Sequence, residues 1–279
     1  MTDTTVIFIL LLTAVMHATW NTALKAGTDR VLDMAAMRVS GIIFALVLIP
    51  FVPLPDAAAW PYLIASAAAH MVYFGCLIAS YNRGDLSQVY PIARGSAPLL
   101  VALAAYLTIA ETPTALGLAG VIIIAIGIIV AGTGAFRQNL HAIGFALITG
   151  LSIATYSLLG GIGVRASGTI LGYAAWLELL SCAPFVAFAL VYRRRHVVAY
   201  ASSRTARIAL LLGFGSAFSY LIVLWAMTLL PLATVTAARE TSAIFAALAG
   251  AILLKEPFAG RRIAAAALVT LGIALLVIG

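Results

Sequence analysis

Apolar residues run along this chain in blocks long enough to cross a bilayer, and glycine, proline and charged residues collect in the short gaps between them. A hydrocarbon core of about 30 Å takes roughly 20 helical residues at about 1.5 Å each. The breaks predict ten helices, near residues 5–26, 33–52, 60–82, 86–108, 115–134, 141–163, 168–191, 206–229, 232–254 and 260–278. The fold class this implies is all-α, as an integral membrane protein.

Composition agrees. Hydrophobic residues make up 64% of the 279 and charged ones 9%, where a soluble domain carries about 25% charged residues. The net charge of +7 raises a nucleic-acid partner as a reading, but the basic residues lie in short loops rather than on an aromatic-bearing soluble face. Lys25, Arg30, Arg83, Arg137, Arg193, Arg194, Arg195, Arg204, Arg207, Lys255, Arg261 and Arg262 fall on odd-numbered loops, against Arg165 alone on the even ones. The positive-inside rule then places the odd loops in the cytoplasm and both termini on the extracytoplasmic side. The first block carries Asp3 ahead of it and lacks a basic leader and a small-x-small site, so it reads as a retained helix. Cys76 and Cys182 lie in apolar stretches and read as buried thiols, with no metal or redox role.

A shift of 145 positions superposes Arg94 on Arg239, Glu111 on Glu256, Gly127 on Gly272 and Gly134 on Gly279. The early helices align less tightly, with "ATWN" at Ala18–Asn21 matching "ATYS" at Ala154–Ser157 at an offset of 136. The chain divides into a first repeat, 1–134, and a second, 135–279, together one transport domain. Five helices per half is an odd number, so the second half enters the membrane from the opposite side, as in inverted-repeat transporters.

The acidic turn after each fourth helix, "AETP" at Ala110–Pro113 and "KEP" at Lys255–Pro257, and the opening "MHATWNTALKAG" resemble the EamA family of the drug/metabolite transporter superfamily. The resemblance covers nearly the whole chain. It implies a bacterial inner-membrane carrier that exports amino acids or other metabolites, with a central cavity lined by the first, third, fourth, sixth, eighth and ninth helices.

An arginine at a helix centre costs about 2.5–3.5 kcal/mol on insertion scales, so it must face the bundle interior or a wet cavity and find a partner. Arg94 and Arg239 sit inside such runs. Each either closes a gate or holds an anionic group such as a substrate carboxylate, or it is an internal clamp paired with a carboxylate or carbonyls. Glu178 and Glu240 are the carboxylates placed well within helices, and both are candidates for proton coupling or for plain ion pairing. A weak alignment at an offset of 140 sets Glu178 against Arg38, a candidate charge pair.

Cavity candidates come from polar and aromatic stripes. His17, Trp20 and Asn21 share one face of the first helix, and Tyr156 replaces Trp20 in the second half. His70, Tyr73 and Phe74 begin a stripe that continues to Leu77 and Tyr81 on the third helix. Tyr90 precedes Arg94, and Tyr220 and Trp225 lie on the eighth helix. Rings with a polar handle suit a wet cavity for a partly apolar solute, and equally suit a packing seam. Trp60, Tyr62, Tyr192 and Tyr200 sit at helix ends and read as interface anchors. Pro91 and Pro98 flank Arg94 and predict a kink that its counterpart lacks, and glycines such as Gly127, Gly160 and Gly161 permit close helix contact.

Three function classes remain. A secondary carrier of a small molecule by alternating access accounts for the halves and the dispersed buried charges, with amino acids first and hydrophobic amines, drugs or another organic anion as the alternative. A membrane enzyme would need clustered chemistry, and the sequence has no H-E-x-x-H, G-x-S-x-G or P-loop and implies no cofactor. A channel built from several copies is the third.

Overall fold

A computed structural model of the chain describes residues 3–110, 114–132, 140–243, 245 and 260–278, and among them there is no strand. The helices are α1 (Asp3–Ala26), α2 (Arg30–Leu48), α3 (Trp60–Arg83), α4 (Leu86–Ile109), α5 (Ala115–Gly132), α6 (Leu140–Arg165), α7 (Ile170–Tyr192), α8 (Val197–Ala201), α9 (Arg204–Met227), α10 (Leu232–Glu240) and α11 (Gly260–Ile278). Seven helical stretches among the described residues are long and apolar enough to cross a membrane. Large apolar side chains such as Phe8, Leu12, Val47 and Leu211 point outward, as a lipid solvent allows.

Helix starts follow local chemistry. The Asp29 carboxylate accepts from the Val31 and Leu32 N–H groups, Thr169 from Gly172 and Ser203 from Ala206, satisfying amides that have no partner inside the helix. Two features depart from the expected pattern. The connection after α7, past the arginines 193–195, carries the five-residue α8 rather than a plain loop. The expected helix over 232–254 is described as α10 only as far as Glu240, where Thr241 makes a turn, whereas α4 is a single helix through both of its prolines. Glu111, Pro113, Gly134, Arg137, Lys255, Glu256, Pro257 and Gly279, with the expected repeat boundary, lie outside the described residues, as do the side chains of Arg261 and Arg262.

Much of the packing runs between the halves rather than within them. Among the described residues α3 packs on α6 as α9 packs on α1, α4 on α6 as α10 on α1, and α2 on α9 as α7 on α3, while α2·α7, α4·α10 and α5·α11 are pairs of counterparts. Exchanging the halves therefore carries the pattern onto itself. The α5·α11 crossing repeats this at atomic scale. A Cβ on Gly127 would meet the Ala265 carbonyl and Val269, and a Cβ on Gly272 would meet the Gly120 carbonyl and Ile124. Gly120, Ile124 and Gly127 are the residues 145 positions before Ala265, Val269 and Gly272, so the contact is reciprocal, as a two-fold relation requires.

Contacts between helix ends fix the directions. At one end Lys25 Nζ donates to the carbonyls of Tyr81 (2.8 Å) and Gly84 (2.6 Å), Arg193 pairs with Asp29 (3.0 Å), and the Tyr200 hydroxyl donates to Asp33 (2.6 Å). At the other, the Asp56 amide donates to the Ser167 carbonyl (3.0 Å), and Arg165 donates to the carbonyls of Met227 (2.8 Å) and Leu230 (2.9 Å). Helices α1 and α6 thus finish at opposite ends of the bundle. Tyr200, expected as an interface anchor, is turned inward onto Asp33. Cys182 is buried as expected, but Cys76 is only half-buried on α3, and both thiols are free.

Candidate functional site

The buried polar residues of the central helices converge. A cavity of about 30 Å³ is lined by His17, Trp20, Arg38, His70, Tyr73, Phe74, Tyr156, Leu177, Glu178, Ser181, Ser216, Tyr220 and Arg239. A volume near 30 Å³ suits water and little more.

Arg239, on α10, spans the halves. Its Nη2 donates to Tyr156 Oη (3.2 Å) on α6 and to His17 Nε2 (3.1 Å) on α1. An arginine only donates, so His17 Nε2 accepts, and the ring proton sits on Nδ1, which faces Ser219 Oγ at 3.3 Å. The Arg239 guanidinium also lies 5.8 Å from the Tyr220 ring centre. Its Nε and Nη1 have no hydrogen-bond partner among the described residues. Arg38 donates to Ser216 (3.0 Å) and lies over Phe74 (5.0 Å) and Trp20 (5.9 Å). Such faces partly compensate a cation held away from water.

Arg94 lies beside the cavity rather than on its wall. Its Nε pairs with Glu240 Oε2 at 2.7 Å, with side-chain exposures of 3% and 0%. This links α4 of the first half to α10 of the second. Tyr90, one turn before Arg94, shares a hydrogen bond with Ser242, just past the end of α10, at 2.9 Å, a second link between the halves.

Arg38 and Glu178 line the same cavity yet form no ion pair with each other. Glu178 Oε2 instead accepts from the Cys182 thiol at 3.1 Å, against the α2 backbone at Gly41, where a Cβ would strike the carboxylate. His70 Nδ1 donates to the Ser66 carbonyl (2.8 Å), and its ring stacks on Tyr156 at 3.9 Å. Nearby, the Tyr73 ring stands edge-on to Tyr156 and tilted against Phe74.

Besides Arg94 and Tyr90, two more of the sequence candidates for the cavity stand away from its wall. Asn21 donates to the His17 carbonyl (2.7 Å) and accepts from Tyr81 (2.6 Å), a bond within the first half. Trp225 is half-buried against the core and is not part of the cavity lining. The sequence reading missed Ser181, Ser216 and Ser219. Ser216, Ser219 and Tyr220 share one helical stripe at i, i+3 and i+4, whereas the pair singled out, Tyr220 and Trp225, does not.

A family model described as the EamA-like transporter family matches residues 4–133 and again 140–278. The chain belongs to that family. Its two matches cover the two sets of helices whose packing exchanges, α1–α5 and α6–α11. As an EamA-like chain it is a transporter of the drug/metabolite type, embedded in a membrane through several helices and acting on a small molecule. Among curated proteins none matches it. A solved crystal structure, described only as that of a protein, is similar over 99% of this chain and 97% of its own, at a TM-score of 0.67 and 14% identity. That likeness speaks to the fold alone.

Proposed function

We propose that this chain is a secondary carrier that exports small metabolites such as amino acids across a bacterial inner membrane by alternating access, with both termini on the extracytoplasmic side. The observation that carries the reading is the pair of links between halves around the central cavity, Arg94 to Glu240 and Arg239 to His17. Two halves of opposite direction, joined by buried polar contacts at a common centre, are the parts needed to rock between inward and outward openings. The cavity holds the guanidiniums of Arg38 and Arg239 and the Glu178 carboxylate, opposite charges that fit a zwitterion once the halves part. Export, rather than uptake, follows from the family resemblance. Glu178 and Glu240 are the groups through which a proton gradient would act, and the two-repeat division at 134/135 makes both halves necessary.

The test is counterflow of labelled amino acids in proteoliposomes, with Arg239→Gln and Glu178→Gln beside wild type. Saturable exchange that falls in both variants supports the reading. Non-saturable flux would point to a channel, and chemical turnover of the solute to an enzyme. The second reading, export of hydrophobic amines, draws on the rings of Trp20, Phe74, Tyr156 and Tyr220 around Glu178, which has no ion-pair partner among the described residues. Exchange of amines but not amino acids would favour it.

A further inference from the structure

A second cavity, of about 250 Å³, lies outside the central site, between α2, α7, α8 and α9. Its walls are apolar, formed by residues such as Leu32, Ala36, Val39, Val186 and Leu210, and among the described residues polar side chains enter it only from Tyr200 and Arg207. It opens at the bundle surface, where Leu190 is 46% exposed. The short α8 forms one wall and is tied down through Tyr200 to Asp33 at 2.6 Å. Beside that wall the exposed Val191, at 75%, and Val198, at 83%, bracket the arginines that follow α7, so this segment sits where hydrocarbon meets water.

The charges at this end do not balance. Arg193 takes Asp29, and Tyr200 takes Asp33. Arg194, Arg195, Arg204 and Arg207 are exposed and form no ion pair with any described residue. An apolar slot of this volume, below the roughly 300 Å³ at which drug-sized pockets begin, accommodates a flexible chain, while its rim needs an anion. We propose that it is a binding site for an anionic phospholipid, with one acyl chain between α2, α7 and α9 and the headgroup phosphate at Arg207 and Arg204. Charge complementarity selects the occupant. A zwitterionic lipid would supply the chain but bring an ammonium to a rim that already carries unpaired cations. The site is independent of the transport reading.

Native mass spectrometry of the full chain, released from detergent after titration with phosphatidylglycerol, phosphatidylcholine or glycerol phosphate, tests this. Phosphatidylglycerol is expected to be retained, with the other two bound at least about tenfold more weakly. An Arg204→Gln/Arg207→Gln variant should lose that preference, and Ala36→Phe, which fills the slot, should lose phosphatidylglycerol while keeping both arginines. The arginine variant alters exposed side chains only, so it keeps the test open if Ala36→Phe fails to fold. Equal retention of phosphatidylcholine, retention of glycerol phosphate without chains, or a preference that survives the arginine substitutions would overturn the proposal.

Discussion

At Arg94 and Glu240 two opposite charges meet with almost no exposure, at 3% and 0% of their side-chain surface. Removing either partner leaves the other stranded in a poor solvent for ions, which costs about 3–5 kcal/mol. Arg94→Gln and Glu240→Gln are each expected to lower the melting temperature sharply, and the double variant to lose less than the sum. Additive losses in that double-mutant cycle would mean that the pair is not a coupled unit. Tyr200 offers a gentler case. Its loss in Tyr200→Phe leaves a buried Asp33 oxygen without a donor, a cost of about 1–3 kcal/mol. Burial first, and then the Asp33 carboxylate, push the Tyr200 hydroxyl above its ordinary range. A raised acid constant keeps the folded hydroxyl protonated after the unfolded one ionises. The advantage of wild type over Tyr200→Phe should therefore be flat below pH about 10 and shrink above it. Melting curves from pH 7 to 11 would show whether it does.

At the scale of elements, the α5·α11 crossing brings backbone against backbone at Gly127 and Gly272. Gly127→Leu and Gly272→Leu should each destabilise by at least about 1–3 kcal/mol, because a carbonyl on the facing helix cannot rotate away as a side-chain tip can. Near-wild-type melting of either variant would mean that these helices separate freely. The long helices were legible in the sequence because the thickness of a bilayer dictates a block length that few other structures require. The five residues of α8 carried no such signal, since one turn and a half is too short for a period to show. Individual buried charges at Arg94, Arg239, Glu178 and Glu240 also stood out, because lipid makes each one costly. Their partners did not. Periodicity locates a residue on the face of its own helix, but Arg94 meets Glu240 across α4 and α10, and the Arg38–Glu178 pairing drawn from sequence offset gave way to Ser216 and Cys182. Sequence offset aligns counterparts, and in a two-fold arrangement counterparts need not touch.

For the molecule as a whole, orientation is the open quantity with a direct readout. A cysteine at position 3, in a chain whose Cys76 and Cys182 are replaced by serine, should react with an impermeant maleimide from outside intact cells. Reaction only after permeabilisation would reverse the orientation that the basic loops imply. The same crowding of arginine at one end, together with the apolar flanks of α8, would then face the opposite leaflet.

The exchange of packing between halves also bears on how the chain is made. The first half leaves the ribosome with α2, α3 and α4 prepared for surfaces on α7, α6 and α10 that do not yet exist. Arg94 must wait for a carboxylate encoded more than half a chain later. The early helices therefore reach the bilayer as spans with temporary neighbours, and the bundle assembles only when the later ones arrive. Expressed as separate pieces, 1–134 and 135–279 should each be degraded alone and rescue one another when made together. Immunoblots of the two pieces, singly and in one cell, would decide this, and stable accumulation of either piece by itself would show that a half can mature unaided.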